Sequence, residues 1–390
     1  MVTYPEDWTP MQLKDLGYIQ MCRRIFQSQT KAYGAIPFYK ISTFGGKADA
    51  YISQELYEQY KALYPYPERG DVLISAAGTV GKTVIFDGKD SYFQDSNIVW
   101  LKVDKNAIDR RFLWWFYRSY PWEALEGTTI QRLYNSIILK TKIHLPEKTE
   151  QEEIARTLSQ FDTYIDDLAE LIEKKRGIRD GVLEDLMTYR TRLNGYTGDW
   201  CEANLSGICK VYDGTHQTPE YVPQGIRFVS VENITDIYGS EKFISPAAYE
   251  SNFKVYPEKG DILMTRIGDI GTPCIVETDE PLAYYVSLAL LKSIKINSRF
   301  LDYYIISSAF QKELDDRTLH HATPKKINKG EIGKCKVKYP KNKDEQAAIA
   351  DILAAMDEEI EALEVERDKM IQIREGAMDD LLTGRVRLQT

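Results

Sequence analysis

The stretch YPERGDVLISAAGTVG at residues 66–81 returns later in the chain as YPEKGDILMTRIGDIG at residues 256–271, an offset of 190 residues. Further segments recur in the same order. They are YPEDW (4–8) with YTGDW (196–200), IPFYKI (36–41) with IRFVSV (226–231), EQEEIARTLSQFDTYIDDL (150–168) with EQAAIADILAAMDEEIEAL (345–363), and IRDGVLEDLMTYRTRL (178–193) with IREGAMDDLLTGRVRL (373–388). Matches in one order across the whole length indicate two homologous halves.

Each half joins a mixed globular part to a long helix. The globular parts, residues 1–148 and 196–341, contain short β-rich runs separated by Gly, Pro and Asp turn signals, and one amphipathic aromatic segment each. We therefore predict an α+β fold in which two homologous mixed α/β domains, termed head one and head two, are each followed by a helix. The helices are expected over residues 149–195 and 342–390.

Apolar residues form a seam along both helices, with the spacing of about 3.5 residues that is typical of a coiled coil. The seam residues are Ile154, Leu158, Phe161, Ile165, Leu168, Ile172, Val182 and Leu186 in the first helix, and Ile349, Leu353, Met356, Ile360, Leu363, Met370, Ala377 and Leu381 in the second. Two separate surface helices are the alternative, but a seam this long exceeds a normal globular helix. Charged residues interrupt the seam at Lys175, Arg179, Arg367 and Arg374.

The connectivity favours antiparallel pairing of these helices. A helix of about 40 residues is about 60 Å long. Head two follows the C-terminal end of the first helix and precedes the N-terminal end of the second, and antiparallel helices keep these two points together. We expect a dumbbell with pseudo-twofold symmetry, in which a two-helix antiparallel coiled coil separates the heads.

Composition excludes several classes of protein. No run approaches the roughly 18–20 apolar residues of a membrane span, and the N-terminus lacks the basic-then-apolar pattern of a signal peptide. The five cysteines are scattered without a Cys-x-x-Cys pair, which indicates reduced thiols rather than disulfides or zinc ligands. We expect a cytoplasmic protein that does not associate with a membrane.

The net charge of −9 is distributed unevenly. Residues 149–195 carry 7 Lys and Arg against 11 Asp and Glu, and residues 341–390 carry 7 against 13, so the helices hold the acidity. Head two contains a basic strip, TPKKINKGEIGKCKVK (323–338), whose counterpart in head one is TIQRLYNSIILKTKIH (129–144). Such a strip suits a phosphate backbone. A strand edge protected by lysines is the alternative.

The Gly-Lys-Thr that ends GDVLISAAGTVGKT (70–83) is not a nucleotide-binding loop. The motif requires a glycine at position 76, which is Ala76, and the second copy has Thr272 and Pro273 after its glycine. Both copies keep two glycines three residues apart, Gly78 with Gly81 and Gly268 with Gly271, which predicts turns with positive φ.

The sequence contains no recognisable catalytic or metal-binding constellation. It lacks a Gly-x-Gly-x-x-Gly pattern after a strand and the Asn/Asp-Pro-Pro-Tyr/Phe pattern of amino-methyltransferases. The four histidines lie at no metal-ligand spacing, and the neighbours His320 and His321 are interpreted as a loop pair that contacts solvent or DNA. We therefore expect neither a metal nor a cofactor in this chain.

The order of heads and helices along this chain resembles that of the specificity subunit of type I restriction–modification systems. The resemblance rests on the alternation of two heads with two EQ…IA…L helices and spans essentially the whole chain. It includes DGTHQTPEYVPQGIRFVSVENI (213–234), GDILMTRIGDIG (260–271), GTTIQRLYNSIILKTKIHLP (127–146) and the two junctions that run from Pro146 to Gln151 and from Pro340 to Gln346. Two departures are FQSQTKAYGAIPF (26–38), which replaces the DGTHQTP text in head one, and Tyr189, which stands where Gly384 ends the second helix. The first helix is therefore expected to run on further.

The resemblance implies a non-catalytic DNA-binding subunit. Each head would be a target recognition domain (residues 1–148 and 196–341) that reads one half of a bipartite, asymmetric site in double-stranded DNA. The spacer helices (149–195 and 342–390) would fix the gap and, with their junctions, dock two methyltransferase subunits. These partners would bind S-adenosylmethionine, and restriction or translocase subunits would join them.

The residues expected to contact DNA are polar side chains in the loops of each head. They are Ser75, Thr79, Lys82, Thr128, Thr129, Gln131, Arg132 and Tyr134 in head one, and Thr215, His216, Gln217, Thr265, Arg266, Thr323, Lys325, Lys326 and Asn328 in head two. The lysines are expected to hold phosphates, while Arg266, Gln217 and Gln131 are expected to reach base edges. Two other functions stay open on the sequence alone: an enzyme with an unrecognised motif, and a coiled-coil scaffold that does not bind DNA.

Overall fold

A computed structural model describes residues 3–122, 132–292 and 294–388. The chain forms two compact units. Unit one comprises Met1–Ala169 with Val365–Thr390, and unit two comprises Glu170–Glu364. Each unit therefore contains one head together with one part of each long helix.

The first half of the chain folds into nine strands and five α-helices within its described residues. The strands are β1 (Thr9–Gln12), β2 (Gly17–Met21), β3 (Ile36–Tyr39), β4 (Ala50–Ile52), β5 (Val72–Ser75), β6 (Thr83–Ile85), β7 (Tyr92–Phe93), β8 (Ile98–Val103) and β9 (Lys142–Leu145). The helices are α1 (Leu13–Leu16), α2 (Gln54–Leu63), α3 (Arg110–Ser119), α4 (Asn135–Lys140) and α5 (Lys148–Met187), with a 3₁₀ turn at Gln27–Gln29.

The second half repeats this order, and its described residues contain one further helix after the aromatic helix. The strands are β10 (Trp200–Asn204), β11 (Lys210–Asp213), β12 (Ile226–Val229), β13 (Phe243–Ile244), β14 (Ile262–Ile267), β15 (Asp269–Ile275), β16 (Leu282–Tyr284), β17 (Leu288–Lys292) and β18 (Lys336–Pro340). The helices are α6 (Leu205–Ile208), α7 (Pro246–Asn252), α8 (Ser298–Ile306), α9 (Ser308–Asp315), α10 (Lys329–Ile332) and α11 (Lys343–Thr383), with a 3₁₀ turn at Val231–Asn233.

The two heads have the same sheet topology. A four-stranded antiparallel sheet has the order β2-β8-β5-β6 in head one and β11-β17-β14-β15 in head two. A three-stranded sheet, β4-β3-β7 or β13-β12-β16, contains one antiparallel and one parallel pair. The pair β1-β9 or β10-β18 completes each head. The predicted α+β class and the internal repeat are confirmed.

The central sheet separates two hydrophobic cores in each head. In β5, Val72 and Ile74 pack with α3 and the long helices, whereas Leu73 packs with the three-stranded sheet. In β14, Ile262 and Met264 face the helices, and Leu263 faces the other core. This strict alternation follows from the period of two in a strand that is buried on both faces.

The long helices contain 40 residues in α5 and 41 in α11, as expected from the seam. Every seam residue is buried or half-buried. The predicted ends need correction, because α5 stops at Met187 instead of running on past the tyrosine. Tyr189 itself adopts the left-handed conformation (φ 62°) that Gly384 adopts (φ 70°) after α11. Its ring packs 5.1 Å from Trp200 between centroids, which helps to offset the backbone cost.

Three of the four charged residues that interrupt the seam are paired with the other helix of their unit, and Arg367 contacts its neighbour Asp368 instead. In unit two, Lys175 Nζ lies 2.7 Å from Glu359 Oε1, and Arg179 Nε lies 2.8 Å from Asp357 Oδ1. In unit one, Arg374 Nη1 lies 2.7 Å from Asp162 Oδ1. In these two pairs of unit two, the residue number rises from 175 to 179 in α5 while it falls from 359 to 357 in α11. The helix segments therefore run antiparallel within unit two.

The EQ dipeptide at the start of each long helix connects the helix to its head. Gln151 accepts a hydrogen bond from the backbone N–H of Asp109 (2.8 Å), where α3 begins, and donates one to the Pro146 carbonyl (3.0 Å). Gln346 makes the same two contacts with Asn297 (2.7 Å) and Pro340 (2.7 Å). Both glutamines are buried, so each head is fixed on its helix by a paired set of backbone contacts.

Candidate nucleic-acid interface

The double-glycine turns after β5 and β14 have the same construction. Gly78, Gly81, Gly268 and Gly271 all have positive φ, between 66° and 92°, as predicted. Ser75 Oγ accepts a hydrogen bond from the Lys82 N–H (2.9 Å), and Thr265 Oγ1 accepts one from the Thr272 N–H (2.9 Å). Both hydroxyl groups belong to buried residues that brace the turn. We therefore correct the expectation that Ser75 and Thr265 contact DNA.

Each turn lies against the basic segment of its own head. The Leu133 N–H donates to the Ala76 carbonyl (2.8 Å), and the Ile327 N–H donates to the Arg266 carbonyl (3.0 Å). Isolated β-bridges join Ala77 to Arg132 and Ile267 to Lys326. Two stretches that are more than fifty residues apart in sequence thus form one surface at the end of the central sheet.

In head two a third polar segment joins this surface. The Thr215 N–H donates to the Tyr284 carbonyl (3.1 Å), and the Thr215 carbonyl accepts from the Val286 N–H (3.0 Å). These contacts hold the loop at residues 213–217 beside the strand end. His216 and Gln217 are exposed there, and His216 Nε2 lies 3.9 Å from Asp213 Oδ2.

Arg266 does not extend into solvent. Only 5 % of its surface is exposed, and its guanidinium donates to the Ile327 carbonyl (3.0 Å), the Val286 carbonyl (3.2 Å) and Asp213 Oδ1 (3.0 Å). The expectation that Arg266 reads a base edge is therefore wrong for this conformation, because its donors are directed into the protein.

The basic strip of head two divides into an available part and a paired part. Thr323, Lys325, Lys326 and Asn328 are exposed, and neither lysine has an ion-pair partner among the described residues. Further along, Lys336 Nζ and Lys338 Nζ lie 2.9 Å and 3.8 Å from Glu202 on the neighbouring strand β10, and Lys334 pairs with Glu331. The strand-edge interpretation thus holds for β18, whereas residues 323–328 keep their charge available.

Head one places fewer of its predicted contacts within the described part of the chain. Thr79, Lys82, Arg132 and Tyr134 are exposed. Arg132 Nη2 lies 3.4 Å from Asn97 Oδ1, at the end of the central sheet. Thr128, Thr129 and Gln131 lie outside the described residues.

Sequence reasoning missed three features of these surfaces. Asp213 is the ion-pair partner of Arg266. The only signal for it in the sequence is that it begins the 213–217 loop. Tyr33 and Phe26, on the segment that replaces DGTHQTP in head one, are 81 % and 59 % exposed. An exposed aromatic ring is available for stacking or apolar contact with a base, but no spacing in the sequence marks either residue.

The cysteines and the described carboxylates are not arranged as a metal site. Among the described residues, no group of three or more His, Cys, Asp and Glu side chains is arranged to hold a metal ion. All five cysteines are free, as predicted, and burial raises the pKa of the Cys22, Cys209 and Cys335 thiols to about 12. No helix in the described part of the chain is both long and apolar enough to cross a membrane.

A sequence profile described as "Type I restriction modification DNA specificity domain" matches twice, at residues 5–175 and 198–371. The chain belongs to this family. Its role is DNA sequence recognition, and the two matches correspond to the two halves defined by the internal repeat.

Two relatives in this specificity-domain family illustrate the range of similarity. A chain of Haemophilus influenzae, named as a type I restriction enzyme specificity subunit, is 51 % identical over 160 residues, which cover 41 % of this chain and 42 % of that protein. The MjaVIII specificity subunit of Methanocaldococcus jannaschii is 24 % identical over 409 aligned positions, which cover 99 % of this chain and 94 % of the relative.

The fold also matches solved structures along nearly its full length. The S subunit of a type I restriction–modification system from Mycoplasma genitalium has a TM-score of 0.60 and 19 % identity, with 96 % of each chain covered. A chain from a type I restriction–modification complex has a TM-score of 0.59 and 14 % identity, with 99 % of this chain and all of that chain covered. At these identities the likeness concerns the fold.

Proposed function

We propose that this chain reads a bipartite, asymmetric DNA site, with one head on each half of the site. One observation carries the proposal: the two heads repeat the same backbone contacts at the end of the central sheet but present different side chains there. Arg132 and Tyr134 in head one occupy the positions of Lys326 and Asn328 in head two, because the bridges Ala77–Arg132 and Ile267–Lys326 are equivalent. A shared frame with different polar side chains is what two different half-sites require.

The side chains at these surfaces, which are exposed except for the half-buried Thr215, suggest two kinds of DNA contact. Lys82, Lys325 and Lys326 would hold phosphates, because an exposed ammonium group is a compact positive charge that suits the DNA backbone. Thr79, Arg132 and Tyr134 in head one and Thr215, His216, Gln217, Thr323 and Asn328 in head two would lie near base edges, where hydroxyl, amide and guanidinium groups match donors and acceptors of the major groove. Thr128, Thr129 and Gln131 stay in the proposal on sequence grounds.

The chain itself would be non-catalytic. The long helices and their junctions would fix the gap between the half-sites and dock two methyltransferase subunits, which would bind S-adenosylmethionine and modify adenine. Restriction or translocase subunits would join that assembly. The acidity of both helices supports a protein partner over a phosphate backbone on this part of the chain.

The proposal is tested by mapping methylated adenines across the genome of a host that supplies the partner subunits, with and without this gene. A split motif that disappears with the gene supports DNA reading by this chain, and an unchanged pattern contradicts it. Purified chain incubated alone with DNA and S-adenosylmethionine tests the enzyme alternative, which methylation or cleavage would support. A scaffold that does not bind DNA predicts the same motif after the exposed residues of one head are replaced.

A further inference from the structure

Arg266 occupies the point where the three polar segments of head two meet. Its Nε donates to the carbonyl of Ile327 in the basic segment, and its Nη1 contacts the Val286 carbonyl and Asp213 Oδ1. These acceptors belong to residues 323–328, to the turn before β17 and to the start of the 213–217 loop. Because Arg266 itself lies in β14, directly before the double-glycine turn, one buried side chain connects the turn, the basic segment and the 213–217 loop.

Asp213 extends this connection to the surface. Its Oδ1 accepts from Arg266 at 3.0 Å, while its Oδ2 lies 3.7 Å from Lys329 Nζ and 3.9 Å from His216 Nε2. The buried guanidinium thus fixes a carboxylate whose other oxygen faces two exposed cationic or polar side chains. A displacement of Arg266 would be transmitted to both of them.

The internal repeat supplies a natural comparison, because head one has neither member of the pair. Asp213 is opposite Ala289 in the β11-β17 register, and Met21 is opposite Val99 in the equivalent β2-β8 register. Arg266 donates its backbone N–H to the Ser287 carbonyl (2.9 Å), as Ala76 does to the Asn97 carbonyl (2.7 Å). The charged pair of head two therefore replaces an apolar Met–Ala pair on the same backbone.

The comparison separates stability from positioning. Head one shows that this backbone forms without the ion pair, and replacing a buried ion pair by well-packed apolar residues of similar total volume is often neutral for stability. A planar guanidinium with several fixed acceptors instead holds the segments that it joins in one relative position. We propose that Arg266, held by Asp213, is a positioning residue that sets the half-site preference of head two without touching DNA. The inference rests on the proposed DNA-reading function.

The test grafts the apolar pair of head one into head two, as the double variant Arg266→Ala with Asp213→Met. The variant is assembled with the methyltransferase subunits and offered a DNA library in which each half-site varies separately. We expect a melting temperature near that of the parent, an unchanged preference at the half-site of head one, and a loss of preference at the other half-site by about tenfold or more. Arg266→Lys should restore only part of that preference, because lysine lacks the planar fork.

Lys292→Met is the matched control. Lys292 pairs with the buried Asp261 (2.9 Å) at the opposite end of the same sheet, so its loss should lower the melting temperature without altering the preferred half-site. Full half-site preference in a folded graft variant would overturn the inference and leave the proposed function intact. Should the parent complex itself show no preference at either half-site, the proposed function would fail instead.

Discussion

Arg192 and Glu345 form a bidentate ion pair in unit two, with Nε 2.8 Å from Oε1 and Nη2 2.8 Å from Oε2. The internal repeat contains the equivalent pair, with the arginine 195 residues later and the glutamate 195 residues earlier: Arg387 contacts Glu150 through Nε (2.5 Å) and Nη2 (2.7 Å) in unit one. Both carboxylates are buried, and each arginine follows the end of a long helix. The start of one helix is thus fixed to the end of the other within each unit.

Arg192→Ala should lower the melting temperature of unit two by roughly 5–10 °C, because it leaves the buried carboxylate of Glu345 without its partner. Thermal unfolding monitored by circular dichroism measures the effect. Arg190→Ala is the control, since Arg190 is exposed and its pair with Asp185 is a surface contact. Equal melting temperatures for the two variants would show that the Arg192–Glu345 pair does not stabilise the junction.

Gly384→Ala should destabilise unit one by at least about 2 kcal/mol, because a side chain there needs the left-handed conformation and space that is already filled. A Cβ atom at position 384 would lie 2.5 Å from Pro5 Cγ. The control is Gly376→Ala, in α11, where a Cβ meets no atom within 4 Å. This control should stabilise the helix by about 1 kcal/mol. Denaturant unfolding measures both changes, and a stabilised Gly384→Ala variant would contradict the structure at this turn.

Asp302→Asn should stabilise unit two at pH 8 and have little effect near pH 4. Burial, reinforced by the negative charge of Asp357, raises the pKa of Asp302 from 3.8 to about 7. The carboxyl group is therefore tolerated when protonated, and its contribution to stability is lost as the pH rises from about 4 through 7. We expect a gain of roughly 2–4 kcal/mol for the asparagine variant at pH 8. A gain independent of pH would show that Asp302 is not protonated in the folded chain, and the exposed Asp279→Asn serves as control.

Lys326→Gln should flatten the salt dependence of DNA binding by the assembled complex. Loss of one phosphate contact lowers the slope of log K against log salt concentration by about 0.9. Lys336→Gln removes the same charge from the same strip, but Lys336 is already paired with Glu202. The slope for this variant should therefore differ less from that of the parent complex. Binding measured by fluorescence anisotropy between low and moderate salt compares them. The surface assignment fails if Lys336→Gln has the larger effect.

The internal repeat made most of the fold predictable. Offsets of 190 and 195 residues aligned strands with strands and helices with helices, and they separated the scaffold glycines Gly78 and Gly268 from the variable positions beside them. The contact between the turn and the basic strip was not predicted, because residues more than fifty positions apart are brought together only by the tertiary fold.

The orientation of individual side chains could not be predicted in this way. The β14 register shifts between Met264 and Arg266, and such a bulge redirects the side chain that follows it. No residue of MTRIG (264–268) predicts the bulge, so Arg266 was expected in solvent. Tyr189 is a similar case, because the ring contact with Trp200 joins residues whose proximity depends on the tertiary fold.

The central claim is that each head reads its own half of a split DNA site. The most direct measurement is the methylation motif produced by the assembled complex when His216, Gln217 and Asn328 of head two, the exposed residues assigned to base edges, are replaced by Ala. The account predicts that one half of the motif relaxes while the other half and the gap length stay unchanged. A motif that stays intact, or that changes in both halves together, would contradict it.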